Sequence, residues 1–211
     1  MAMCLKGYSL KDVYKALKFV EIYSVRNQFI LRESNKAIEN CYIGLAKDVF
    51  MNNISIDNIA SIIKESILKI PNATFKDTLL LYSPKSTAVA SYILRKINET
   101  MMTEEVVVVT NRKDVNIEHI MPQNNSIWKV DEELHTSYLG WLGNLTLLSG
   151  KINRNIKNDK FEVKKNKYAE SQIPMTRALV AYEDWTVENI VERQKELTEI
   201  ALNIWNPELV R

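Results

Sequence analysis

Two neighbouring residues, Glu118 and His119, carry groups that could do acid–base chemistry. They lie in the segment IEHIMPQ (residues 117–123), a short apolar run that Pro122 closes, in a chain with only two histidines. A single histidine in an apolar run is more often a satisfied structural residue, so this segment alone does not indicate a site. A carboxylate and an imidazole side by side are also what the first half of a metal-dependent nuclease site would need. Other residues of the chain are needed to choose between these two interpretations.

Two asparagines downstream complete a pattern. Asn144 opens the run NLTLL, and Asn153 follows nine residues later inside a predicted helix. Taken singly, Asn144 is typical of a turn or a strand end, and Asn153 could be an ordinary polar helix position. The joint order, an acid–His pair on one strand, Asn144 on the next and Asn153 on a helix, is much harder to explain by chance and favours a site.

This order resembles that of the ββα-metal, or His-Asn-His (HNH), nucleases. More closely, the chain resembles the C-terminal nuclease domain of GmrSD-type modification-dependent restriction endonucleases, strongly over roughly residues 115–205. The segment YSVRNQF at 23–29 fits what usually precedes that domain. The matching pieces are IEHIMPQ, GNLTLL, the following Asn153, NDKFEVKKNKYAES, and the late helix with Trp185, Arg193 and Trp205.

The resemblance implies a mostly helical α+β fold, with a helical region at residues 1–104 and a nuclease domain at 105–211. In that domain a small ββα-metal core would be surrounded by helices. The implied activity is DNA cleavage or nicking in defence against phage or other foreign DNA, as part of a modification-dependent (type IV-like) restriction system. Such domains act with an NTP-hydrolysing sensor. No G-x-x-x-x-G-K-[ST] loop occurs here, so the sensor is expected on a missing part of the polypeptide or on a partner.

Each site residue receives a role from this resemblance. His119 would take a proton from water, because a neutral imidazole is a suitable base near physiological pH. Glu118 and Asn153 would hold Mg²⁺ (or Mn²⁺), and Asn144 would orient His119 or tie its loop. Adjacent strand residues point to opposite faces, so Glu118 and His119 can share a site only if the strand ends or twists there. Pro122 makes such an ending plausible.

A basic segment follows the second strand. Residues 151–167 hold seven Lys or Arg and two acidic residues, a local charge of +5 in a chain whose total is +2. Such a stripe suits phosphate contacts, which give affinity without sequence choice, although a solvated face is an equally good interpretation. The predicted DNA-binding residues are Lys151, Arg154, Lys157, Lys160 and Lys164.

Two rival functions remain open. One is a non-catalytic helical module that binds nucleic acid or a partner protein through a degenerate site. The other is an RNase with the same constellation. His135 is given no role. Arg193 could meet a phosphate, but a surface ion pair is the favoured prediction. Many nucleases of the wider class bind structural zinc with two C-x-x-C pairs. Ser149 and Ile152 occupy one such pair of positions here, so no structural zinc is expected.

The composition is that of a globular protein rather than a disordered or membrane-spanning one. Hydrophobic residues make up 46% and charged residues 26%, and no apolar run approaches the ~18 residues of a membrane span. Cys4 and Cys41 stand alone, which argues against a disulfide framework and fits a cytoplasmic protein. The opening Met-Ala-Met resembles an engineered start, and we expect the chain to be a fragment of a longer protein.

The elements that must position the site follow from periodicity. Helices are predicted from Leu10, after Ser34, after Ser55, over 86–97 and after Trp185, and strands at 106–109, 115–120 and 144–148. The stripe Leu10, Val13, Tyr14, Leu17 and Val20 is predicted to face the core, as are the four tryptophans at 128, 141, 185 and 205.

Overall fold

The structure is a computed structural model that describes residues 1–102 and 114–210. This part of the chain is mostly helical and contains a two-stranded sheet, which confirms the predicted α+β class. It forms two compact units, one made of Met1–Leu79 with the segment from Leu202 onward, the other of Leu80–Ala201. The strand predicted at 106–109 and the domain boundary predicted at 104/105 lie outside the described residues.

The first unit consists of helices, and capping serines precede three of them. Its elements are α1 (Ala2–Leu5), α2 (Leu10–Tyr23), a π-helical segment (Ser24–Ile30), α3 (Asn35–Asn52), α4 (Ile56–Leu68) and α5 (Asn72–Leu80). Ser9 and Ser34 precede α2 and α3, and their hydroxyl oxygens accept hydrogen bonds from the N–H groups of Asp12 and Ala37. The helices predicted from Leu10, after Ser34 and after Ser55 are confirmed, whereas the π-helical segment and α5 were not predicted.

The buried face of α2 is not the one that the apolar pattern predicts. Leu10, Tyr14 and Leu17 are exposed, with relative exposures of 87%, 64% and 59%. The buried residues of α2 are Ala16, Phe19, Ile22 and Tyr23. The prediction was wrong because α2 carries apolar residues on more than one face, and the period of a helix cannot say which face meets other helices.

The second unit places the sheet among helices. Its elements are α6 (Thr87–Thr100), β1 (Val115–His119), α7 (Glu132–Tyr138), β2 (Leu145–Ser149), α8 (Gly150–Ile156), α9 (Phe161–Ala169), α10 (Pro174–Arg177) and α11 (Val187–Ile204), whose last turn belongs to the first unit. β1 and β2 pair antiparallel, from Val115 opposite Ser149 to His119 opposite Leu145. The strands predicted at 115–120 and 144–148 are therefore confirmed.

The core of the second unit lies around the sheet and the last helices. Buried residues from β2, α8, α9 and α11 pack together with Trp185, and Trp128 and Trp141 pack against them while half-buried. Trp205 is buried in the first unit. The prediction that the tryptophans serve the core is confirmed. Among the described residues, no helix is both long and apolar enough to cross a lipid bilayer.

Candidate active site

Three of the four predicted catalytic and metal-binding residues line one cavity. Glu118 and His119 at the end of β1 and Asn153 on α8 surround a space of about 470 Å³, together with Lys157 and Asn158 just after α8. His119 is the last residue of β1, and it lines the cavity together with its neighbour Glu118. Ser149 caps the N-terminus of α8 through its hydroxyl, which accepts from the N–H of Ile152.

His119 lies half-buried at the edge of this cavity. Burial lowers the pKa of its imidazole below the usual value, and the nearby positive charge of Lys164 lowers it further. Both effects favour the neutral ring. A neutral imidazole has a free nitrogen lone pair at physiological pH, which a proton acceptor requires.

Glu118 belongs to a buried cluster with Lys164 and Tyr168. The Lys164 ammonium lies 2.6 Å from Oε1 of Glu118, and the Tyr168 hydroxyl donates to the same oxygen at 3.3 Å. Burial raises the pKa of Glu118, while the Lys164 charge and these hydrogen bonds act against the rise. Burial likewise lowers the pKa of Lys164, and Glu118 opposes that shift. The cluster therefore compensates two charges inside the unit.

Lys164, predicted to contact DNA, occupies a different place. Its side chain is fully buried, so no phosphate can reach it. Besides Glu118, its ammonium donates to the backbone carbonyls of His119 at 2.8 Å and Ile120 at 3.1 Å. Because an ammonium has three N–H groups, these three acceptors use its whole capacity. Lys164 thus fixes the end of β1, where the cavity residues lie.

Asn144 ties the loop that follows His119. Its amide oxygen accepts from the N–H of Met121 at 2.7 Å and from the indole of Trp185 at 3.2 Å. Its amide nitrogen donates to the carbonyls of Met121 and Leu139, each at 3.0 Å. Of the two roles predicted for Asn144, the geometry matches the loop tie, because these bonds go to the loop rather than to the imidazole.

His135, which was given no role from the sequence, is a second support of the same loop. His135 is buried, and its Nε2 donates to the carbonyl of Pro122 at 2.8 Å. The two residues are 13 positions apart, and nothing in the local pattern links them. The structure therefore gives the chain's second histidine a positioning contact.

Arg193 supports the start of β2 and is not a surface residue. It is buried, and its Nη1 donates to the carbonyls of Gly143 at 2.7 Å and Leu145 at 2.8 Å. The predicted surface ion pair is therefore wrong. Its position on α11 between the buried Ile190 and Leu197 was a signal for this, since three- and four-residue spacing places all three on one face.

The oxygen atoms at this cavity suit the coordination of a small hard cation. Asn153 uses its amide nitrogen to donate to the carbonyl of Ile117 at 3.3 Å, so its amide oxygen is the atom left for a metal. Glu118 uses Oε1 within the buried cluster and has Oε2 as a second oxygen. No three His, Cys, Asp or Glu side chains of residues 1–102 and 114–210 come together as a metal cluster. Two protein oxygens still suit Mg²⁺, which keeps several waters and binds substrate phosphates.

Comparison with known proteins assigns the family. The family model described as "GmrSD restriction endonucleases, C-terminal domain" matches residues 71–200. The chain belongs to this family. The GmrSD match includes every predicted site residue and confirms the resemblance seen in the sequence, so the chain carries a restriction-type nuclease domain. None of the curated proteins matches the chain at a significant level.

Four predicted DNA-binding cations of the GmrSD domain are exposed: Lys151, Arg154, Lys157 and Lys160. Lys157 lines the same cavity as His119, and its backbone ends α8 with a positive φ of 36°. Lys160 instead lines a separate open groove beside Trp185. These exposed side chains remain available to phosphates, in contrast to Lys164.

Proposed function

We propose that this chain is a metal-dependent DNA endonuclease or nickase of the HNH type, acting in modification-dependent restriction of foreign DNA. The observation that carries the proposal is the single cavity shared by Glu118, His119 and Asn153, at the junction of two antiparallel strands and a helix. The GmrSD family match over the same residues supports a phosphodiester as the substrate.

His119 acts as the general base. Its neutral imidazole takes one proton from a water molecule, whose oxygen attacks the scissile phosphorus. The bond from phosphorus to the 3′-oxygen breaks, and that oxygen takes a proton from solvent. Glu118 and Asn153 would hold a divalent cation, Mg²⁺ or Mn²⁺, which would supply positive charge to neutralise the phosphate and the leaving oxygen.

Other residues position the base rather than touch the substrate. Lys164 holds the carbonyl of His119, while Asn144 and His135 hold the loop up to Pro122. Because small displacements of a catalytic group cost rate, these contacts matter although they lie behind the cavity. Among the exposed cations, Lys157 is placed to meet a phosphate next to the scissile one.

A sensor that hydrolyses NTP and recognises modified DNA is proposed as the partner of this domain. The support is the family, together with the absence of a G-x-x-x-x-G-K-[ST] loop from this sequence.

Cleavage of supercoiled plasmid tests the proposal, with the sensor added when the chain alone is inactive. Wild type is expected to nick or linearise the plasmid with Mg²⁺ or Mn²⁺ and not with EDTA. His119→Ala should lose about 10²–10⁴-fold in rate, the usual contribution of a general base, while still binding DNA. Asn153→Ala should lose cleavage too, and Asn116→Ala, the same change at an exposed position of β1, should not.

Three outcomes would contradict the proposal. Cleavage that survives His119→Ala would remove the base. Binding without cleavage in any metal, with the sensor present, would favour a non-catalytic module. Preferential cleavage of competing RNA would indicate an RNase built on the same residues.

A further inference from the structure

A second polar cavity lies in the first unit, away from the nuclease residues in sequence. It has a volume of about 280 Å³. The polar residues that line it are Arg26 of the π-helical segment, Asn72 and Lys76 of α5, and Asn203 and Asn206 near the end of α11. No Asp or Glu appears among the described residues that line it.

Arg26 is buried at this cavity, where the described residues give it no anionic partner. Its relative exposure is 1%. Nη2 donates to the amide oxygen of Asn72 at 2.7 Å, and Nη1 makes a long contact of 3.5 Å to the carbonyl of Trp205. The guanidinium stacks over the ring of Phe75, 4.3 Å from its centroid. These are neutral partners, and none of them balances the positive charge.

The Nε–H group of Arg26 is an unsatisfied hydrogen-bond donor. It is buried and has no hydrogen-bond partner in the described part of the chain. Burial lowers the pKa of Arg26, and no carboxylate in the described ranges acts against that shift. A buried charge with an unsatisfied donor is costly unless something pairs with it. The cavity beside Arg26 has room for an anionic group that could pair with this charge and accept the Nε–H hydrogen bond.

The N-terminus of α5 contributes to the same cavity. Asn72 and Ala73 are the first two residues of this nine-residue helix, and both line the space. The first N–H groups of a helix have no partner within it, and the helix dipole places partial positive charge there. Together with Arg26 and Lys76, this end of the helix presents several donors and positive charge to one small space.

We infer that this cavity binds a phosphate group. A guanidinium beside a helix N-terminus suits an anion with several oxygens, because each donor can reach a different oxygen. The volume falls just below the 300–1,000 Å³ typical of sites for larger ligands, so the cavity suits the phosphate rather than a whole nucleotide. The inference goes beyond the proposed nuclease activity and does not depend on it, because every lining residue lies outside the candidate active site.

Isothermal titration calorimetry of the full chain with inorganic phosphate tests the site. The titration is done in EDTA and at fixed ionic strength. Wild type is expected to bind phosphate saturably. Asn72→Asp places a carboxylate beside Arg26 with almost no change in shape. It should weaken phosphate binding at least about tenfold, since a charge-assisted contact is replaced by repulsion. The same variant should unfold at a higher temperature in phosphate-free buffer, because Arg26 then has an internal partner.

Asn58→Asp is the matched control. Asn58 is an exposed residue in the first turn of α4, so the change is chemically identical and also lies at a helix N-terminus. It should leave phosphate binding unchanged. Lys76→Met provides a second variant with reduced affinity if Asn72→Asp does not fold. The inference is overturned if wild type shows no saturable binding, or if Asn72→Asp or a folded Lys76→Met binds as wild type does.

Two further ligands identify the source of the phosphate. A short single-stranded oligonucleotide is titrated with a 5′-phosphate and with a 5′-hydroxyl, in EDTA so that it is not cleaved. Binding that needs the 5′-phosphate and is weakened by Asn72→Asp assigns the site to a terminal phosphate. Equal binding of both forms, again weakened by Asn72→Asp, assigns it to the phosphodiester backbone.

Discussion

Two buried cations, Lys164 in the second unit and Arg26 in the first, have opposite surroundings. Lys164 contacts a carboxylate and two carbonyls, so its charge and its three donors are all compensated within the chain. Arg26 contacts an amide, a distant carbonyl and an aromatic ring, and its Nε–H has no partner among the described residues. Both side chains are almost completely removed from water.

The difference separates a structural cation from a binding cation. A buried ion pair is a closed unit, and removing one partner leaves the other charge uncompensated. Arg26 is already in that state and lies beside a cavity, so we expect the group that compensates it to come from outside. Lys164 therefore supports the site indirectly through Glu118 and His119, whereas Arg26 is placed to meet a ligand itself.

The largest expected effect is that of Lys164→Met. The substitution leaves the Glu118 carboxylate buried without its cation, and it should lower the free energy of unfolding by about 3–5 kcal/mol. A urea titration followed by circular dichroism measures this. Lys160→Met, at an exposed lysine of the same basic segment, should change stability by less than about 0.5 kcal/mol. Equal effects of the two substitutions would mean that the Lys164–Glu118 pair is not a structural unit.

Replacing both charges should restore most of the stability. In Lys164→Met with Glu118→Leu, neither charge of this pair remains, and apolar replacements of buried pairs are often neutral or stabilising. The double variant is expected to recover at least about 2 kcal/mol relative to Lys164→Met. It should not cleave DNA, because Glu118 is absent. Plasmid cleavage and the urea titration together make the test. A double variant as unstable as Lys164→Met would show that the lost carbonyl contacts, rather than the charge, cause the effect.

Arg26→Met should behave differently from Lys164→Met. Without phosphate, removing an uncompensated charge offsets the lost packing on Phe75, so the free energy of unfolding should change by less than about 1 kcal/mol. With phosphate at 100 times its dissociation constant, wild type should gain about 2.7 kcal/mol and the variant nothing. Urea titrations with and without phosphate give both values. A loss of several kcal/mol in phosphate-free buffer would make Arg26 a structural residue like Lys164.

The smallest effect on stability is expected for Lys157→Ala. An exposed cation contributes little to folding, so the free energy of unfolding should stay within about 0.5 kcal/mol of wild type. Its loss should weaken DNA binding at all sequences and reduce the slope of log K against log salt by about 1. Fluorescence anisotropy at several salt concentrations measures the slope, and Lys47→Ala on α3 is the control for an exposed lysine. An unchanged slope would remove Lys157 from the DNA contacts.

Much of the fold was accessible from local sequence signals. Ser9 and Ser34 are capping residues whose partners lie three positions away, and the strands around Glu118 and Leu147 follow from short apolar runs. The buried face of α2 was not accessible, because several faces of that helix carry apolar residues. The segment Ser24–Ile30 forms a π-helix for which the sequence pattern gave no signal.

For the candidate site too, some features could be predicted from local sequence and others depended on tertiary contacts. The order of Glu118, His119, Asn144 and Asn153 was sufficient to predict a shared site and the family, and the structure brings three of them to one cavity. That Asn144 ties a loop, rather than orienting the imidazole, depends on contacts with Met121, Leu139 and Trp185. The support given by His135 and Arg193 depends on partners far along the chain and could not be inferred from spacing.

The sequence by itself determined which chemical groups are present, where several of the helices and the two paired strands begin, and which family the chain belongs to, because these follow from residue type and short-range order. Only the tertiary structure decided which cationic side chains are exposed to solvent, which pair with a carboxylate and which line a cavity. Lys164 and Glu118 are 46 positions apart, and so are Arg26 and Asn72. The environment of a charge depends on such distant neighbours, because burial and pairing are properties of packed elements rather than of a segment.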